Sequence, residues 1–237
     1  MALPVMKAPQ YTVTIPSLNK EVKFRPFLVK EEKALLIAQQ SEDTNVMINT
    51  LKEIIKGCII DEIDIDSLAT FDYEYLFTQI RSKSVGETTD LIFKCDTCED
   101  EKARSIITIH LDKCVVNIPE THNKKIPLFD DVGIIMKYPR LETLEKIYSM
   151  NNGNIDSVFD VVIDCIDQIY TTEEVYHSKE QSRDELKQFL ENLTQENFSK
   201  IEEFFDTMPV LKQEVEYDCP VCKKHHTKTI QGIESFF

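Results

Sequence analysis

The chain has 237 residues, of which 42% are hydrophobic, enough to bury a sizeable core. Acidic residues outnumber basic ones 42 to 27, a net charge of −15. Such a surface repels phosphate backbones and argues against nucleic-acid binding. Five glycines in 237 residues fall far below the usual ~7% and argue against phosphate-cradling loops. No Walker, dinucleotide-binding, zincin or nucleophile-elbow motif occurs. No apolar run approaches the ~18 residues of a membrane helix, and the first ten residues show no signal-peptide core. The expected setting is the cytosol, where cysteines are reduced or metal-bound rather than paired.

In chain order, a hairpin comes first. Tyr11, Val13 and Ile15 alternate, "SLNK" turns, and Val22 and Phe24 alternate before Pro26 ends the ladder. "VKEEKALLIAQQ" is rich in helix formers. "VMINTLKEIIKGCI" puts Met47, Leu51, Ile54, Ile55, Cys58 and Ile59 on one helix face. "DEIDIDSL" lacks the glycine and final Glu of a calcium loop and reads as a solvated connection. "FDYEYLFTQIRSKS" places Tyr73, Leu76, Phe77 and Ile80 on a second face. Strand patterns follow in "ETTDLIFK", "ARSIITIHL" and "KCVVNIP", with "GIIMKYP" as a candidate fourth.

Helical spacing then returns. Leu141, Leu144, Ile147 and Tyr148 form one face. A longer stripe runs through Val158, Val161, Val162, Cys165, Ile166 and Ile169, predicting a helix over 155–170. Ser182 and Glu185 form a capping box. Thr194 is a candidate N-cap ahead of Phe198, Ile201 and Phe205. Met208-Pro209 stops that helix, and strand period resumes in "VLKQEVEYD" and "HHTKTIQGI".

Seven cysteines are present. Cys58 and Cys165 lie on apolar helix faces and Cys114 in a strand pattern, so all three read as small core residues. The remaining four differ. "DLIFKCDTC" and "EVEYDCPVC" align on their cysteines, each with an aromatic, Phe93 or Tyr217, two residues before the first Cys. Each pair is followed by a polar turn and a second strand pattern. Two residues between cysteines let a tight turn aim both sulfurs at one point. Two such knuckles can surround a zinc ion tetrahedrally. Cys95, Cys98, Cys219 and Cys222 are therefore the candidate metal ligands, in a pattern similar to a zinc ribbon with a long insertion.

Iron would take the same four thiolates. A redox Cys-x-x-Cys should open a helix, whereas strand pattern follows both pairs here. His225 and His226 could each replace a cysteine, but with four thiolates at hand they read as polar residues of a turn or strand start. Lys94, Lys102, Lys223 and Lys224 lie close enough in sequence to offset a local charge near −2. A closed four-sulfur zinc leaves no open coordination position, so its role is structural. No catalytic residue stands out.

The expected architecture is α+β. Residues 1–86 form a hairpin plus helices, residues 87–118 and 210–237 a discontinuous zinc-ribbon-like module, and residues 119–209 a helical insertion. The stretch "YTVTIPSLNKEVKFRPFLVKEEKALLIAQQ", with "LKEIIKGCI" and "FDYEYLFTQIRSKSVGE", resembles the T4-type bacteriophage baseplate hub and hub-assembly proteins. The resemblance implies a non-enzymatic protein built into, or assisting, the tail baseplate hub. Its partners would be other phage baseplate or hub proteins, with no nucleic acid, membrane or small-molecule substrate. It would act in the infected host's cytoplasm during assembly or in the virion tail. Exposed apolar ends such as Phe236 and Phe237, or the edge of the 11–25 hairpin, would be candidate contacts. The competing expectation is a zinc-ribbon module for nucleic-acid binding or regulation.

Overall fold

The computed structural model describes residues 7–41, 43–98, 100, 102–129, 131–143 and 155–231. It is α+β, with helices and small antiparallel sheets in two compact units. One unit comprises residues 1–65, 71–117 and 210–237; the other comprises 66–70 and 118–209.

The first unit begins with the antiparallel pair β1 (Tyr11–Ile15) and β2 (Lys20–Phe24). Val13, Ile15, Val22 and Phe24 are buried on one face. The chain then turns through Arg25 into α1 (Val29–Gln40). The segment "RPFLVKEEK" earns its turn chemically. The Glu31 carboxylate takes the Leu28 amide at 2.8 Å and the Arg25 guanidinium at 2.9 Å, which also donates to the Pro26 carbonyl. The Arg25 amide in turn donates to Cys58 O at 2.9 Å, at the end of α2 (Thr44–Cys58). Asp43 caps α2, whose buried face is Ile48, Leu51, Ile54, Ile55 and Cys58; Met47 and Ile59 are half-buried.

The connection after α2 is less solvated than its acidic sequence predicts. Ile65 and Leu68 are buried, and Tyr73 Oη donates to Ile65 O at 2.6 Å. Helix α3 (Thr70–Ser84) buries Tyr73, Leu76, Phe77 and Ile80, the predicted face. Phe27 stacks on Phe77, and the Ser17 amide donates to Asp72, so the hairpin and α3 share a core.

Two β-layers complete this unit. Strands β3 (Thr88–Lys94) and β4 (Arg104–His110) form one hairpin. Strand β5 (Val115–Asn117) pairs with β10 (Val210–Asp218), which pairs with β11 (His225–Gln231). Ile109, Leu111, Cys114, Leu211, Val215 and Ile230 are buried together, with Leu91, Phe93, Ile107 and Tyr75 packed against them. The long insertion leaves and rejoins this sheet at Asn117 and Val210, which are cross-strand partners.

In the second unit, helices share the space with a four-stranded antiparallel sheet: β6 (Lys125–Pro127), β7 (Gly133–Met136), β8 (Ile166–Tyr170) and β9 (Val175–His177). "GIIMKYP" is thus a strand, but of this sheet. Helix α4 (Ile155–Cys165) ends where the single predicted helix was to continue, and Ile166–Tyr170 is strand. The reason is a bulge. Ile134 faces Ile169 and Ile135 faces Gln168, but Met136 faces Ile166, so Asp167 is the extra residue. It shifts the alternation by one, and Ile166 and Ile169 both reach the core at a spacing that mimics a helix.

Helices α5 (Arg183–Glu191) and α6 (Gln195–Asp206) cover this core with Leu186, Leu190, Ile201 and Phe204. Their predicted caps are both present: Ser182 with Glu185, and Thr194 onto the Asn197 amide. Phe198 and Phe205 are half-buried and Val158 is exposed. Leu144, Ile147, Tyr148, Phe236 and Phe237 lie outside the described residues.

Candidate metal centre

The turns after β3 and β10 carry the two cysteine pairs. In the first, the Cys95 amide donates to Ala103 O at 2.9 Å, and the Asp100 side chain and carbonyl take the Lys102 and Ala103 amides. In the second, the Cys219 amide donates to Lys224 O at 2.9 Å and the Lys223 amide to Cys219 O at 3.0 Å. This tighter knuckle requires Lys223 at φ +60°, a left-handed conformation that costs an L-residue roughly 1–2 kcal/mol. The two tips match in place but not in length.

The knuckles meet. Cys95 Sγ lies 3.8 Å from Cys222 Sγ, and Cys98 Sγ lies 3.9 Å from Cys219 Sγ. All four sulfurs fall within 4.8 Å of one another. A tetrahedron with metal–sulfur bonds of ~2.3 Å requires S···S separations of ~3.8 Å. The cysteines are free, and the sulfurs interleave between hairpins rather than pairing within each one. Cys95 and Cys219 are buried, Cys98 is half-buried and Cys222 exposed.

The electrostatics ask for a cation. Hydrogen bonds from the Thr97 side chain and amide pull the Cys95 thiol down to about 5. The Lys224 amide pulls Cys222 down as well. Cys98 is pushed up to about 12, first by its hydrogen bond with Cys222 and then by burial. Sulfurs this close cannot all ionise alone, so one thiol keeps its proton for the others. A divalent ion would replace that proton and stabilise all four thiolates. The donor set and spacing therefore fit a tetrahedral thiophilic metal.

The surroundings hold the two tips in register. Phe93 stacks on Tyr217 with centroids 5.4 Å apart, so the aromatics aligned in sequence are partners in space. Tyr217 Oη reaches Lys94 O at 3.5 Å, Ser105 Oγ donates to Asp218 O, and Lys228 pairs with Asp96 at 2.6 Å. Sequence reasoning passed over Lys228, and the alternation of β11 puts it on the same face as His226 and Ile230. His226, read from the sequence as an alternative ligand or a polar residue of a turn or strand start, is buried in β11 with its Nε2 3.2 Å from Cys95 Sγ; its place on the inward phase of the strand is the signal for that burial. His225 points elsewhere, to Asp218 at 2.9 Å.

The other cysteines stay away from this cluster. Cys58, Cys114 and Cys165 are buried, and burial pushes their thiols up to about 11, 11 and 12. They are core residues, not nucleophiles.

The fold and the cluster define an α+β protein whose two distant Cys-x-x-Cys hairpins close on one candidate metal centre. The family model described as "T4 bacteriophage base plate protein" matches residues 8–237, and the chain belongs to that family. No curated protein and no solved structure matches the chain.

Proposed function

We propose that this baseplate protein is a non-enzymatic hub component or hub-assembly factor, held together by a structural zinc ion on Cys95, Cys98, Cys219 and Cys222. The observation that carries the metal assignment is the interleaved four-sulfur cluster, with its 3.8 and 3.9 Å cross-hairpin pairs. A set of four thiolates leaves no open position for substrate, which supports a clamp rather than a catalyst. The β-module of residues 87–118 and 210–237 then acts as one ribbon domain closed by the metal.

Protein–protein contact is the matching mode of action, and the surface supports it. Helix α1 leaves Leu36 and Ile37 more than half exposed, and the β3–β4 hairpin exposes the cross-strand pair Ile92 and Ile106 at 65% and 68%. The partners are other phage baseplate proteins, met in the host cytoplasm during assembly or retained in the virion.

The test is co-purification from infected cells, compared with the composition of finished particles. Presence in finished particles supports a resident hub subunit; presence only in intermediates supports an assembly factor. Recovery in neither, with salt-sensitive binding to DNA or RNA, would overturn the reading in favour of a nucleic-acid module. Elemental analysis of protein purified without chelators should find about one zinc per chain; stoichiometric iron would reassign the metal.

A further inference from the structure

We propose that His226 is a positioning residue of the metal centre: its Nε2–H donates to the Cys95 thiolate from the opposite hairpin and tunes how tightly, and how inertly, that sulfur holds the metal. This inference rests on the metal assignment above.

The geometry has three parts. First, Nε2 lies 3.2 Å from Cys95 Sγ, and the two residues are 131 apart in sequence. A metal-bound thiolate carries no proton and can only accept, so the proton between these atoms belongs to the imidazole. Second, the ring is not free to turn away. It is 8% exposed and stacks on Tyr217, centroids 5.1 Å apart and planes within 17°. Tyr217 is itself the cross-strand partner of His226 and stacks on Phe93. The stack Phe93–Tyr217–His226 thus ends with its polar edge on the sulfur.

Third, the arrangement is one-sided. In the first hairpin the cross-strand partner of Phe93 is Ser105, the counterpart of His226, and its hydroxyl goes to Asp218 O instead. Among the described residues, the imidazole contact falls on Cys95 and on none of the other three sulfurs. A hydrogen bond to a ligating thiolate withdraws negative charge from the sulfur and fixes its direction. With the Thr97 hydroxyl at 3.2 Å from the other side, Cys95 is held from both hairpins. It becomes the least nucleophilic of the four sulfurs, and the exposed Cys222 becomes the first to be lost.

Two measurements on the full chain test this. The first needs no variant. In protein loaded with cadmium-113 and labelled with nitrogen-15, the His226 Nε2–H should appear as a slowly exchanging imidazole proton. It should show a small coupling to the metal transmitted through the Cys95 sulfur. A large one-bond nitrogen–cadmium coupling would make His226 a ligand and overturn the proposal, as would a rapidly exchanging proton with no coupling.

The second separates donor from ring. His226→Phe keeps the stack and removes the proton; His226→Gln keeps a donor and removes the ring. In the cobalt(II) form, His226→Phe should move the sulfur-to-metal charge-transfer band to lower energy. It should also speed iodoacetamide-driven zinc release several-fold. His226→Gln should restore both toward wild type. Unchanged spectra and release rates in His226→Phe would overturn the inference while leaving one metal per chain in place. A wild-type chain that takes up no metal would overturn the metal centre itself, and this role with it.

Discussion

At the residue scale, Glu31 concentrates more polar contact than its neighbours. Its carboxylate is nearly buried and receives Arg25, Lys30 and the Leu28 amide. Burial alone would raise its pKa, but the hydrogen bonds from Arg25, Leu28 and Lys30 outweigh it and hold the carboxyl below its ordinary value. Glu31→Ala should cost about 1.5–3 kcal/mol in urea denaturation, because it also strands Arg25. The pH dependence follows from the direction of the shift. A carboxyl depressed in the folded state contributes fully above its unfolded pKa of ~4.3, and the contribution fades as pH falls through the lower folded value. Wild type should therefore lose stability over that acid window more steeply than Glu31→Ala. Lys223 offers the opposite case. Its left-handed φ of +60° suits glycine, so Lys223→Gly should raise the melting temperature of the metal-loaded protein, by an amount worth up to ~1 kcal/mol.

At the scale of elements, Gly133 decides whether β7 can pair. A methyl there would lie 2.7 Å from Ile126 O and inside contact distance of the Tyr170 ring, its partner on β8. Gly133→Ala should destabilise the second unit by about 1–3 kcal/mol, read as a lower urea midpoint. This is also where legibility in the sequence divides. The β3–β4 and β10–β11 hairpins could be read because strand alternation and cysteine spacing agree, and the aligned Phe93 and Tyr217 gave a third mark. The helices α2, α3, α5 and α6 were legible from period and caps. Strand β8 was not, because the bulge at Asp167 gives a strand the apolar spacing of a helix. Strands β6 and β9 are three residues each, too short to show a period. The contact of His226 with Cys95 was hidden for another reason: its partner sulfur is 131 residues away, and nothing local marks which sulfur a histidine beside a cysteine pair will meet.

At the scale of the whole molecule, the proposed metal should be a stability device. Chelation should lower the melting temperature by several degrees, and readdition of zinc should reverse the loss. Cys95→Ser and Cys219→Ser should lose metal alike, because each knuckle supplies half of one site. If only one variant loses metal, the two pairs do not share an ion. Acidification should also release the ion, since four thiolates must take up protons as it leaves.

The separation of the two knuckles has a consequence in time. Cys98 and Cys219 are 121 residues apart, so a ribosome adding roughly 5–20 residues per second makes the second knuckle about 6 to 24 s after the first. During that interval Cys95 and Cys98 stand as thiols without the second pair of sulfurs that encloses them in the finished fold. Each nascent chain passes through a window in which an oxidant can oxidise these sulfurs, or a disulfide can exchange with them and release its own thiolate. Brief exposure of synthesising cells to a thiol-blocking reagent should mark Cys95 in unfinished chains and spare it in completed ones. The insertion that folds between the knuckles thus also sets how long the first half of the centre must wait.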